Sequence, residues 1–151
     1  MGAGKSTMAK QIATDRHAVL LSEDEWLADL FPNKISTLAD YVACAQQLKR
    51  PIKKLVQSVL QTGTDVVMDF PANTRSQRAW FQEIFAAVGA EHELVYIDLP
   101  DETCLRQIAK RREQQPERAH TDTPEMFKQV TKYFVAPLPD EGFHVCRKET
   151  R

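Results

Sequence analysis

The sequence predicts an α/β fold built on a mostly parallel sheet. Three observations predict it. Short apolar runs at residues 18–21, 65–70 and 93–99 have the near-continuous hydrophobicity of strands buried on both faces. Segments with helical spacing separate these runs, and that alternation brings successive strands parallel. The chain also opens on glycines that lead straight into a helical run.

The opening is Met1-Gly2-Ala3-Gly4-Lys5-Ser6-Thr7, the back half of a phosphate-binding loop, G-x-x-x-x-G-K-[ST]. Gly2, Ala3, Gly4, Lys5, Ser6 and Thr7 form the expected nucleotide cradle. Glycines let backbone N–H groups approach a polyphosphate closely. In this pattern Lys5 reaches the β- and γ-phosphates and the Ser6 hydroxyl holds Mg²⁺. The helix that follows presents its positive end to the anion. The motif's first glycine and the strand that leads into the loop would both precede Met1. The expectation is therefore that the natural protein begins upstream, with an apolar strand and a glycine. A stop codon immediately upstream in the source gene would contradict it.

Residues 4–14 read as the first helix, with Met8, Ile12 and Ala13 as its apolar side, closed by Asp15-Arg16-His17. The strand at 18–21 runs directly into Ser22, an N-cap with Glu25 three residues on, and into a short helix at 25–31 stopped by Pro32. Asp24 lies at the carboxyl end of that strand, where open α/β sheets place their ligands. It reads either as a substrate carboxylate or as an acid complementing the helix dipole.

Residues 35–61 are helical in pattern, and Pro51 either kinks one helix or starts a second. Lys49, Arg50, Lys53 and Lys54 cluster there without interleaved aromatics, so a solvated face is favoured over a nucleic-acid stripe. Thr62-Gly63-Thr64 is a helix stop. The strand at 65–70 ends in Asp69, the position from which an aspartate holds Mg²⁺ directly or through water in phosphate-loop enzymes.

Thr74 caps a helix reaching about Val88, with Asn73 and Arg75 open to either substrate contact or capping. Gly89 stops it, a strand at 93–99 follows, and Pro100 closes that strand. The next helix starts at Asp101 with acids at its positive end and finishes in Lys110-Arg111-Arg112-Glu113. Residues 110–123 form a polar, cation-bearing segment that reads as a lid, with Arg111 or Arg112 stabilising charge on a transferring group. Thr123-Pro124 starts a last helix to about Phe134, Pro137 and Pro139 end it, and 143–146 is a final short strand. The four histidines lack ligand spacing, and none is assigned to a metal.

Composition narrows the classes. The 151 residues make one domain, with hydrophobic residues at 42% and charged residues at 27%, ordinary for a globular protein. A formal net charge of -1 lacks the basic excess of a dedicated nucleic-acid binder. Three cysteines without C-x-x-C spacing argue against a disulfide scaffold or zinc site and point to reduced thiols in the cytoplasm. No apolar run is long enough to span a membrane.

This order of elements resembles the P-loop kinases. More closely, the chain is similar to the small bacterial AAA-type ATP-binding proteins akin to zeta toxins, chloramphenicol phosphotransferase and the kinase part of polynucleotide kinase. The resemblance rests on Gly4-Lys5-Ser6-Thr7, Leu21-Ser22-Glu23-Asp24-Glu25-Trp26-Leu27, the strand ending in Asp69, Arg111 in the lid, and Thr123-Pro124-Glu125-Met126-Phe127. It covers nearly the whole chain.

The resemblance implies a three-layer P-loop NTPase fold of nucleoside-kinase type, lacking its N-terminal strand here. It also implies ATP and Mg²⁺ as cofactors and phosphoryl transfer to a hydroxyl. It matches Asp24 to the carboxylate near the acceptor hydroxyl and Arg111 to the lid arginine. Many relatives carry Asn where this chain has Arg112, so either arginine can meet phosphate. The expectation is an ATP:hydroxyl phosphotransferase acting on a small molecule. The alternatives are an ATP-binding regulatory or partner-binding module without acceptor chemistry, and a nucleic-acid 5′-end kinase.

Overall fold

A computed structural model describes residues 4–98, 100–114 and 123–148. Helix α1, Lys5–Arg16, starts at Gly4, whose φ of 78° lies in the left-handed region that suits glycine. Ala9 and Ala13 are its buried face, and the His17 backbone N–H closes its end. Strand β1, Val19–Ser22, follows.

Helix α2, Glu23–Leu30, begins two residues earlier than the sequence pattern indicates. Ser22 caps it: its hydroxyl accepts from the Glu25 N–H at 3.4 Å, and all three acids, Glu23, Asp24 and Glu25, fall in the first turn.

Helix α3, Leu38–Gln61, is a single 24-residue helix that runs through Pro51. It starts at Leu38 rather than Ile35 because Thr37 and Asp40 form a reciprocal capping box. Proline removes one backbone bond from a helix and crowds the preceding turn. Burial on both sides of Pro51 offsets that cost: Leu48, Ile52 and Val56 are 2%, 0% and 2% exposed. These three pack with Leu27, Phe70 and Ile84 in the main core.

Strand β2, Val66–Asp69, pairs parallel with β1 in the register Val19↔Val66 to Ser22↔Asp69. Helix α4, Arg75–Ala87, opens on a Thr74–Gln77 capping box. Strand β3, Leu94–Ile97, leads to α5, Asp101–Gln114, and then to α6, Pro124–Lys132. Cys104 and Ile108 of α5 pack with Phe127 of α6 in a second, smaller core. A 3-10 turn at Pro139–Glu141 precedes β4, Val145–Lys148, two residues later than the sequence pattern places it. Strand β4 pairs parallel with β3.

The expected mostly parallel sheet, lacking its N-terminal strand, is met in part: every described strand pairs parallel. The described strands form two separate two-stranded parallel sheets, β1-β2 and β3-β4, and the layering is not clearly three-layer. A strand between β2 and β3 would join the pairs, and none of the described residues supplies one. An open cleft of about 1960 Å³ is lined there by Val66, Val67 and Met68 on one side and Val95, Tyr96 and Ile97 on the other. Ligand pockets run to roughly 300–1,000 Å³, so this cleft holds more than a ligand site.

A buried arginine ties the carboxyl-terminal part to α4. Arg78 is 0% exposed, and its Nε donates to Glu141 Oε1 at 2.7 Å. Its Nη1 donates to the Ala72 carbonyl at 2.9 Å and the Val135 carbonyl at 2.7 Å. Full hydrogen bonding of the guanidinium is what makes its burial tolerable.

Candidate active site

Two elements meet at the carboxyl end of the β1-β2 pair. Helix α1 brings Lys5 and Ser6 in its first turn, a turn that carries no acidic residue to oppose its positive end. Strand β2 brings Asp69 at its last position, beside Ser22 of β1. The Ser6 Oγ donates to Asp69 Oδ2 at 2.8 Å across 63 positions of sequence. Lys5 Nζ lies 3.3 Å from Asp69 Oδ1. Lys5 is half exposed and Asp69 is buried, at 53% and 5% side-chain exposure, so the lysine is able to swing toward a ligand while the carboxylate stays fixed.

Asp69 Oδ1 is buried and accepts no hydrogen bond. The Lys5 ammonium 3.3 Å away supplies its counter-charge, which offsets the cost of a buried carboxylate oxygen without a hydrogen bond. Beside a serine hydroxyl, such an oxygen is the donor chemistry that a hard divalent cation takes. Ser6 and Asp69 therefore fit Mg²⁺, as the sequence pattern indicates. Gly2 and Ala3 of the expected cradle lie outside the described residues. Thr7 continues α1 just after Ser6 and borders the same cleft as Gly4, Lys5 and Ser6.

The other expected residues distribute unevenly. Asp24 is exposed in the first turn of α2 and borders the cleft with Lys5, Ser6 and Asp69. Arg111, in the last turn of α5, borders the cleft as well, whereas Arg112 is not among its lining residues. The expected lid falls mostly at residues 115–122, outside the described residues. Of the two residues left open, Asn73 borders the cleft, and Arg75 pairs with Asp140 at 2.9 Å. Among the described residues no group of three or more His, Cys, Asp or Glu could hold a metal by itself.

The sequence reading missed Glu23 and Tyr41. Glu23 is only 5% exposed, and the Tyr41 hydroxyl donates to its Oε1. Burial raises the Glu23 carboxyl above its ordinary value, against the Tyr41 bond and the field of Lys5. Burial first, and then the Glu23 carboxylate, push the Tyr41 hydroxyl well above its own, so Tyr41 stays a donor. One sequence signal was available: Glu23 directly follows an apolar strand and precedes Asp24, so a buried acid at that strand end was readable. Tyr41 carried none, being one of several apolar positions on α3.

A lysine and a serine at a helix N-terminus, meeting a strand-end aspartate in an α/β chain, define a P-loop NTPase-like protein. The model of the family described as an AAA domain matches residues 1–137, and the chain belongs to that family, a P-loop NTPase-like family that includes kinases. No curated protein matches the chain. No helix among the described residues is long and apolar enough to cross a membrane.

Proposed function

We propose that this protein is an ATP-dependent phosphotransferase that moves the γ-phosphoryl group to a hydroxyl on a small molecule. The observation that carries the reading is the convergence of Ser6 and Lys5 on Asp69 at the end of β2. Family membership supports nucleotide binding.

In this reading Lys5 leaves Asp69 and bonds the β- and γ-phosphates, together with backbone N–H groups at the start of α1. Ser6 and Asp69 would hold Mg²⁺, which would neutralise charge on the phosphates. Asp24 orients the acceptor hydroxyl and takes its proton as the oxygen attacks the γ-phosphorus and the bond to ADP breaks. Arg111 meets the charge on the transferring group from the end of α5. Little covalent chemistry falls to the protein, so positioning and charge carry the rate.

Asp24→Asn tests the acceptor half of this reading. ATP affinity, measured by calorimetry, should stay within about twofold, while transfer to a hydroxyl acceptor falls by roughly 10²–10⁴-fold. Unchanged transfer by that variant refutes the role of Asp24. A wild-type protein that binds ATP and phosphorylates nothing supports a regulatory ATP-binding module instead.

A further inference from the structure

A second, smaller cavity opens beside the phosphate-loop face, and Glu23 borders both it and the main cleft. Glu23 and Tyr41 form one wall, Lys49 and Gln77 contribute polar groups, and Phe70 and Trp80 form an aromatic side. Its volume is about 80 Å³. A water needs only about 10–15 Å³ by the same measure, so the cavity takes a fragment of several heavy atoms, and the rest of a larger ligand extends into the main cleft. Lys49 Nζ sits 5.8 Å from the Trp80 ring centroid, and Phe70 lies 5.7 Å from the same ring.

The structural chemistry around Glu23 is balanced. Two cations, Lys5 and Lys49, and one neighbouring anion, Asp24, act on its carboxyl. Of the cavity's own lining residues, Glu23 is the one anion and Lys49 the one cation, which leaves no excess charge to select an ion. The hydrogen-bonding capacity is mixed. The Tyr41 hydroxyl occupies Glu23 Oε1, leaving Oε2 to a ligand. Gln77 spends its Oε1 on the Asn73 and Thr74 N–H groups, which leaves its amide nitrogen as donor.

We propose that this cavity is the acceptor subsite, and that it takes a small neutral polyhydroxy compound whose hydroxyls bond Glu23, Gln77 and Lys49 against the Trp80 face. The inference rests on the phosphotransferase reading above and specifies its substrate class. Glu23 binds a non-reacting hydroxyl, so that the reacting hydroxyl projects into the main cleft between Asp24 and Lys5. A site built to bond a hydroxyl rejects analogues lacking it far more strongly than an apolar pocket does, because its own buried polar groups are left unpaired.

The test is a coupled ADP-release assay with ATP and Mg²⁺ against neutral pentitols, hexitols and monosaccharides, beside amino alcohols, hydroxy acids and oligonucleotide 5′-ends. ATP binding is followed separately by calorimetry. Wild-type turnover should rise with at least one neutral polyol. Glu23→Gln and Lys49→Met should each raise the KM for that polyol about tenfold or more, with ATP affinity and the maximal rate little changed.

Stimulation only by charged or nucleic-acid acceptors overturns the proposal, as does an unchanged polyol KM in the two variants. ATP binding without stimulation by any polyol also overturns it and leaves the nucleotide site standing. Loss of ATP binding in the wild type instead brings down the underlying reading. Glu23 is buried, so folding of each variant is checked by circular dichroism. Lys49→Met, on a partly exposed side chain, carries the test if Glu23→Gln does not fold.

Discussion

Ser6 Oγ bonds Asp69 Oδ2 at 2.8 Å, joining the start of the first helix to the end of the second strand. The contact places a hydroxyl against a buried carboxylate whose other oxygen takes no hydrogen bond. The Lys5 ammonium, 3.3 Å from that oxygen, is its counter-charge, and a hard divalent cation suits the same oxygen once the lysine turns to a ligand.

The first prediction concerns that cation. Asp69→Asn keeps the shape of the side chain and removes its charge. ATP affinity in Mg²⁺ should weaken by roughly 10–100-fold, while affinity in EDTA changes little. Isothermal calorimetry in the two buffers gives the comparison. Equal losses with and without Mg²⁺ would show that Asp69 only anchors Lys5.

The two arginines at the end of α5 should separate. Arg111 borders the cleft and Arg112 does not. If Arg111 meets the transferring phosphoryl group, Arg111→Ala should lower kcat by about 10³-fold, within the range known for arginines in this role. Arg112→Ala should cost less than about tenfold by the same comparison. Steady-state kinetics of both variants decides; the reverse order assigns the role to Arg112.

The Arg78–Glu141 pair should show in pH-dependent stability. The Arg78 hydrogen bond, ahead of all else, holds the Glu141 carboxyl below its ordinary 4.5. A depressed acid stabilises the fold fully above the ordinary carboxylate value, and that stabilisation is lost as pH falls through the lowered value. Glu141→Gln leaves a buried guanidinium without its counter-charge and should cost about 3 kcal/mol near neutral pH. Urea unfolding at pH 7 and at pH 3 should show the wild-type advantage shrinking at the lower pH. An advantage that stays the same at both would contradict the assignment.

Much of the fold was legible because its signals are local. Thr74 caps α4 from within four residues, and the run ending in Asp69 needs only its own apolar pattern. The alternation of strands and helices emerged for the same reason. What the sequence concealed depends on distant partners. Arg78 carries no local signal of burial, yet it is fully buried because Glu141 and the backbone carbonyls of Ala72, Val135 and Ala136 converge on it from outside the helix. Glu23 stands at a readable strand end, but its partner Tyr41 lies eighteen positions away in sequence and carries no local signal.

Pro51 reads as a kink in one helix or the start of a second, and packing on both sides of it keeps α3 a single helix. The expected parallel sheet, lacking its N-terminal strand, is met in part, as two parallel pairs. Apolar runs identify strands but not the partner at each edge, and here the described strands stop at two separate pairs. Within the candidate site, motif spacing singles out Lys5 and Ser6 and the strand end singles out Asp69, whereas the Glu23–Tyr41 contact joins residues far apart in sequence.

The central claim is that Lys5 holds the phosphates of ATP, and one measurement tests it most directly. Titrating ATP and Mg²⁺ into the wild-type protein and into Lys5→Ala by isothermal calorimetry compares the two affinities. Lys5 is half exposed in its ion pair with Asp69, so its loss should leave the fold intact. The predicted result is saturable binding by the wild type and a loss of about 100-fold or more in the variant, the scale of a charge-assisted phosphate contact in a partly dry site. Equal ATP affinity in the two proteins would contradict the account.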